Sequence, residues 1–246
     1  MRITAAILSA IAGSLLFPRY VSGQQHASDS LFVAQAVASA VAAYDRSQRG
    51  QVALYNGAEY VPIPEPYEGF PFFASEYLEE GSVMYSGELF HNVPMEYDLV
   101  QDQLVIEHYD QRGYVTEVRL HDDLIDYFDL LGHRFIHVRG EPDWGDLRPG
   151  FYDLLHDGKI KLLCRRKKNK QDRIEDRRVN VSFIERNTYY LVRDGQAITL
   201  RNKAAVLKAL ADKKKALRQF VRANRLKEVD KEEMMISLVQ HYDSLN

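Results

Sequence analysis

The chain has 246 residues, a formal net charge of −3 at neutral pH and a single cysteine, Cys164. That length is ample for one packed core, the lone thiol excludes an internal disulfide framework, and the near-neutral balance excludes a uniformly basic chain. The balance conceals a division: Gln24 to Gly158 carries 7 Lys/Arg against 24 Asp/Glu, a balance of −17, whereas Lys159 to Lys231 carries 23 against 8, a balance of +15. A basic region 159–231 suits contact with an anionic surface. The plainer reading is that the two regions face each other in the fold or are solvated separately.

Arg2, an uncharged and mostly apolar run from Ala5 to Phe17, and the small residues Val21-Ser22-Gly23 have the layout of a secretory signal peptide over residues 1–23. The run is shorter than the roughly 20 residues a membrane span needs. No cysteine sits near residue 23, so a lipid anchor is not expected. The remainder, 24–246, reads as a single domain in three stretches: 24–50 helical, 51–200 antiparallel β, 201–246 helical.

Ser28-Asp29-Ser30 opens an expected N-terminal helix over Leu31 to Tyr44. Leu54 to Val61 reads as a hairpin turning at Asn56-Gly57. A proline-rich loop follows, with Phe70, Phe72 and Phe73 as a cluster that could form a binding lip or tuck over the open end of a sheet. The central meander comes next: two strands about Ser86-Gly87, then an alternating run that sends Val93, Met95, Tyr97 and Leu99 to one face and Pro94, Glu96 and Asp98 to the other.

Further strands are expected at Gln103–His108, Tyr114–Leu120, Leu124–Asp129, Arg134–Val138, Phe151–Leu155 and Lys159–Arg166, with a loop over Arg139–Gly150. Lys167 to Arg178, almost without apolar residues, reads as a solvated hairpin tip or a phosphate-binding arm. Val179–Ile184, Thr188–Val192 and Gln196–Leu200 complete the strands. From Asn202 the period becomes helical. Val206, Leu207 and Leu210 share a face, Leu217, Phe220 and Val221 continue it, and Asp230 caps a final helix bearing Met235, Leu238, Val239 and Tyr242. The expected fold class is α+β: an antiparallel β-rich body, a curved sheet or open barrel, with an N-terminal helix and C-terminal helices.

The sequence contains no nucleophile elbow, zincin motif, paired Cys-x-x-Cys, P-loop or dinucleotide fingerprint. No catalytic residue and no cofactor is therefore assigned. His121, Asp122 and Asp126 are the candidate metal ligands, although an acidic turn between strands is the plainer reading of the same residues. His133 and His137 share a strand face and read as partly buried, hydrogen-bonded histidines. Glu96 and Asp98 read as solvated outer-face acids rather than a catalytic pair. Cys164, within an apolar strand, reads as a buried structural thiol. Phe70, Phe72, Phe73, Tyr85 and Tyr97 are the candidate ligand-binding residues. Nucleic acid is not an expected partner, because the basic stretch lacks interleaved aromatics.

Leu54-Tyr55-Asn56-Gly57, Phe72-Phe73, Tyr85-Ser86-Gly87, Asn92-Val93-Pro94 with Tyr97-Asp98, Gly150-Phe151-Tyr152 with Asp157-Gly158, and Asp212-Lys213-Lys214-Lys215 occur in an order that resembles a family of uncharacterised exported proteins common in Bacteroidota. The resemblance spans most of 24–246, and its specific part is the order of the markers. It implies a Gram-negative envelope setting, periplasm or outer-membrane periphery, and brings no site residues with it. The expected function is that of an exported, non-catalytic envelope protein binding a small ligand or an envelope partner. The alternatives are a metal-dependent hydrolase, or an assembly protein docking through its basic C-terminal region.

Overall fold

The computed structural model divides the chain into two compact units, Met1–Arg49 and Gly50–Asn246. The structure describes residues 57–64, 67–109, 113–140, 144–175, 178–226 and 228–245, with Val33, Ala36, Val37 and Leu54. The expected signal peptide lies outside the described residues, as does the expected helix over 31–44 apart from three positions.

The strands of the second unit are β1 (Ala58–Glu59), β2 (Tyr67–Glu68), β3 (Glu79–Tyr85), β4 (Glu88–Asp98), β5 (Gln103–Tyr109), β6 (Val115–Arg119), β7 (Ile125–Leu130), β8 (His133–Val138), β9 (Gly150–Asp157), β10 (Lys161–Arg165), β11 (Lys168–Glu175), β12 (Arg178–Glu185), β13 (Thr188–Arg193) and β14 (Gln196–Leu200). Three helices come after them: α1 (Lys203–Ala209), α2 (Lys214–Ala223) and α3 (Lys231–Ser244). Eleven strands form one sheet in the order β1-β6-β5-β4-β3-β7-β8-β9-β10-β13-β14, all neighbours antiparallel. The sheet does not close. A second, three-stranded sheet pairs β11 with β12 and, in parallel, β12 with β2.

Local chemistry sets the turns. Ser86 and Gly87 both take positive φ (52° and 79°), the conformation a two-residue hairpin between twisted strands requires. Gly57 has a different reason to be glycine: a Cβ there would collide with the Arg119 carbonyl and the Val118 side chain. Ala58–Glu59 pairs with β6 as an edge strand and the Tyr60 amide donates to the Glu117 carbonyl, while Tyr55 and Asn56 of the expected hairpin lie outside the described residues. Lys167 to Arg178 forms the solvated hairpin expected there, paired as strand along most of its length. β11 runs through it, because eight residue pairs with β12 satisfy a backbone whose side chains are mostly polar.

The sheet curls tightly. β4 and β9 are four strand positions apart, about 19 Å in a flat sheet, yet the rings of Tyr97 and Phe151 have centroids 5.9 Å apart. Phe128 and Phe135, from the strands between, complete this inner cluster. Beyond β9 the sheet is covered on both sides. Leu162 and Cys164 of β10 face the helices with Val206, Leu217, Met235 and Leu238, while Leu163 faces the opposite way onto Leu147 and Val192. Burial on both faces is why β10 reads as an unbroken apolar run. The helix ends match their sequence: Asn202 Oδ1 accepts from the Ala205 amide at 3.0 Å, and Asp230 Oδ2 from the Glu232 amide at 2.7 Å.

Candidate anion-docking face

The residues singled out from the sequence separate in space. Phe73, Tyr85 and Tyr97 are buried in the inner cluster, with Tyr97 donating to Asp102 Oδ1 at 2.5 Å. Phe70 and Phe72 are half-buried and clasp Lys168, whose Nζ donates to their carbonyl oxygens at 2.9 and 2.7 Å and lies 4.0 Å from the Phe70 ring centroid. The five aromatics therefore pack the core and anchor β11. His121, Asp122 and Asp126 do not converge: Asp126 accepts from Arg139 at 2.9 Å, and among the described residues no group of three His, Cys, Asp or Glu side chains could hold a metal. His133 and His137 are both half-buried and hydrogen-bonded, to Asp153 Oδ2 (2.8 Å) and the Ile125 carbonyl (3.2 Å). Cys164 is fully buried, and burial pushes its thiol up to about 12, so it stays a neutral thiol.

Glu96 and Asp98 overturn the expectation of solvated acids. Asp98 is wholly buried and accepts four hydrogen bonds, from Tyr60 Oη (2.8 Å), Gln101 Nε2 (2.9 Å) and the amides of Val100 (2.7 Å) and Gln101 (2.9 Å). It organises the β4–β5 turn and pins the chain before the proline loop. Glu96 is 7 % exposed and has no hydrogen-bond partner among the described residues. Burial, with Glu117 and Asp98 nearby, raises its carboxyl to about 8. It is a neutral acid over most of the physiological range.

A buried polar seam joins the inner cluster to the helical half. Arg166, directly after β10, is 6 % exposed. Its Nε donates to Asp153 Oδ2 at 2.6 Å and its terminal nitrogen to Glu232 Oε1 at 2.7 Å. Tyr189 Oη donates to the other Glu232 oxygen at 3.0 Å, His133 meets Asp153, and the guanidinium lies 5.4 Å from the Phe73 ring centroid. One cation thus ties β9 to the first turn of α3. A second link, Arg165 to Asp102 at 3.0 Å, joins β10 to the β4–β5 turn. These two arginines give the expected pairing of acidic and basic regions a limited truth.

The helices show where that pairing stops. On α2, Leu217 and Val221 are buried against the core. At 100° per residue, Lys214, Lys215, Arg218 and Arg222 occupy one arc of the solvent side. All four are exposed, and none makes an ion pair, side-chain hydrogen bond or ring contact among the described residues. With Gln219 and Asp212 they line an open depression of about 540 Å³. The one acid there is already engaged, since Asp212 accepts from Tyr242 Oη at 2.8 Å and faces Arg193 at 3.7 Å. The result is a patch of four uncompensated cations on a rigid helix. Sequence reading located the charge within 159–231 but not the helix face that concentrates it. The signal available was the i, i+4, i+8 spacing of Lys214, Arg218 and Arg222.

Comparison with protein-family models, curated proteins and solved structures returns no match to the chain.

Proposed function

We propose that this chain is an exported, non-catalytic protein of the cell envelope that docks an anionic partner on the solvent face of α2. The observation that carries the reading is the set Lys214, Lys215, Arg218 and Arg222, presented together without counter-charges among the described residues. Like charges grouped on one helix repel each other by a few tenths of a kcal/mol per pair. A negatively charged partner turns that repulsion into attraction. The export reading supports an envelope setting through the leader-like residues 1–23. It names no particular envelope component.

Retention of the full chain on a sulfated polysaccharide matrix tests this reading. The wild type is expected to elute at clearly higher salt than a K214E/R218E/R222E variant. A K167E/K170E control, carrying exposed charges just before and on β11, is expected to elute close to wild type. Equal elution of all three would place anion binding elsewhere or nowhere, and would end the proposal.

A further inference from the structure

Building on that docking reading, we infer that the surface α2 engages is an anionic phospholipid bilayer, with the acidic β1–β6 edge of the sheet turned away from it. The geometry of the cations points there. Lys214, Arg218 and Arg222 succeed one another by a helical rise of about 6 Å each, a row about 12 Å long, with Lys215 alongside. They are flexible side chains on a fixed backbone, suited to many mobile phosphates rather than to one ligand of set shape. The patch holds no aromatic side chain: its lining is Lys, Arg, Gln, Ala and Asp. A platform on which bases would stack is thus missing from this face.

The rest of the molecule favours one orientation. The helices lie on the β9–β14 half of the sheet, with α1 against β14. Glu59 and Glu117 are exposed and Glu107 half-exposed at the β1–β6 edge, where Glu107 stands directly opposite Glu117, and the exposed Arg119 offsets one of these three acids. A negatively charged leaflet attracts the first region and repels the second, over a Debye length of about 8 to 10 Å at physiological salt. No helix among the described residues is long and apolar enough to cross a membrane. The inferred contact is electrostatic, through the cations of α2. Each Lys or Arg near an anionic leaflet is worth about fivefold in partition, so neutralising three of them costs on the order of a hundredfold and reversing them costs more.

Co-sedimentation of the full chain with large vesicles tests the inference. Vesicles of about three parts phosphatidylcholine to one of phosphatidylglycerol are compared with pure phosphatidylcholine, which also measures whatever residues 1–23 contribute. The expected result is binding to the anionic vesicles in excess over the neutral ones. That excess should disappear in K214E/R218E/R222E and fall at least about tenfold at roughly 0.5 M salt. The melting temperature of the variant checks its fold, and K214Q/R218Q/R222Q replaces it should the reversal unfold the protein. Retention on the polysaccharide matrix without excess binding to anionic vesicles would overturn the bilayer and leave anionic docking standing. Displacement from vesicles by inorganic phosphate, at matched ionic strength, would instead identify a discrete phosphate site and also overturn it. Failure on both matrix and vesicles would remove the docking reading with it.

Discussion

Asp153 on β9 and Glu96 on β4, one from each half of the sheet, are buried in opposite ways. At the seam, Asp153 is 1 % exposed and meets a guanidinium at 2.6 Å and an imidazole at 2.8 Å. On β4, Glu96 is nearly as buried and meets no hydrogen-bond donor among the described residues. Burying a charge without a partner costs many kcal/mol, so a carboxyl must either gain partners or give up its charge. Asp153 took the first course and Glu96 the second. Asp98, two residues from Glu96, shows that the same strand can build a fully donated acid when a turn supplies amides and a Tyr hydroxyl reaches across. Burial alone therefore does not define a site. The partners decide whether a buried acid is a staple or a titrating group.

The comparison breaks most sharply at Arg166. R166A leaves Asp153 and Glu232 facing each other without their cation, and is expected to cost about 3–5 kcal/mol in urea unfolding. Replacing Arg166, Asp153 and Glu232 together by Met, Leu and Met is expected to recover most of that loss. A triple variant as unstable as R166A would mean the seam supplies net stability beyond its own desolvation.

D98A should come next. It strands the Tyr60 hydroxyl and two amides at the β4–β5 turn, at about 2–4 kcal/mol by the same measurement. A loss under about 0.5 kcal/mol would show that water replaces the carboxylate there.

Glu96 gives the pH test. Its folded-state pKa of about 8 lies above the ordinary 4.5, so the folded protein holds the extra proton between those values. Stability contributed by this group is therefore full below about pH 4.5, declines as pH rises, and is lost above about pH 8. E96Q should match the wild type near pH 5 and exceed it by about 2–4 kcal/mol at pH 9. Parallel stability curves from pH 5 to 9 would show that Glu96 ionises freely and has found a partner.

The smallest effect is expected from Y189F, which removes one hydrogen bond to Glu232 while Arg166 continues to hold that carboxylate. About 1 kcal/mol is anticipated, and a loss approaching that of R166A would make Tyr189 an equal member of the seam.

Local chemistry made much of this fold readable. The positive-φ turns at Ser86-Gly87 and Asp194-Gly195, the alternation of Val93 to Leu99, the caps at Asn202 and Asp230 and the Met235–Tyr242 stripe depend on neighbours within a few residues, and the structure shows each of them. Where a residue had two local readings, the tertiary structure chose. Gly57 allows a close approach to β6, and β11 forms because β12 lies beside it. Phe73, Tyr85 and Tyr97 carry no mark that distinguishes a binding lip from a core, and curvature placed them inside.

By itself, then, the sequence determined the order of most strands and of the C-terminal helices, the helix caps and the segregation of charge, because propensity, capping and composition act over short spans. Only the tertiary structure decided which charges are neutralised. Arg166 meets Glu232 across 66 residues and Arg165 meets Asp102 across 63. Lys214, Lys215, Arg218 and Arg222 meet no counter-charge among the described residues, since Leu217 and Val221 turn the helix so that these four face the solvent. An ion pair acts at about 4 Å between side-chain atoms, and no spacing along a chain reveals which distant groups the fold brings within that reach.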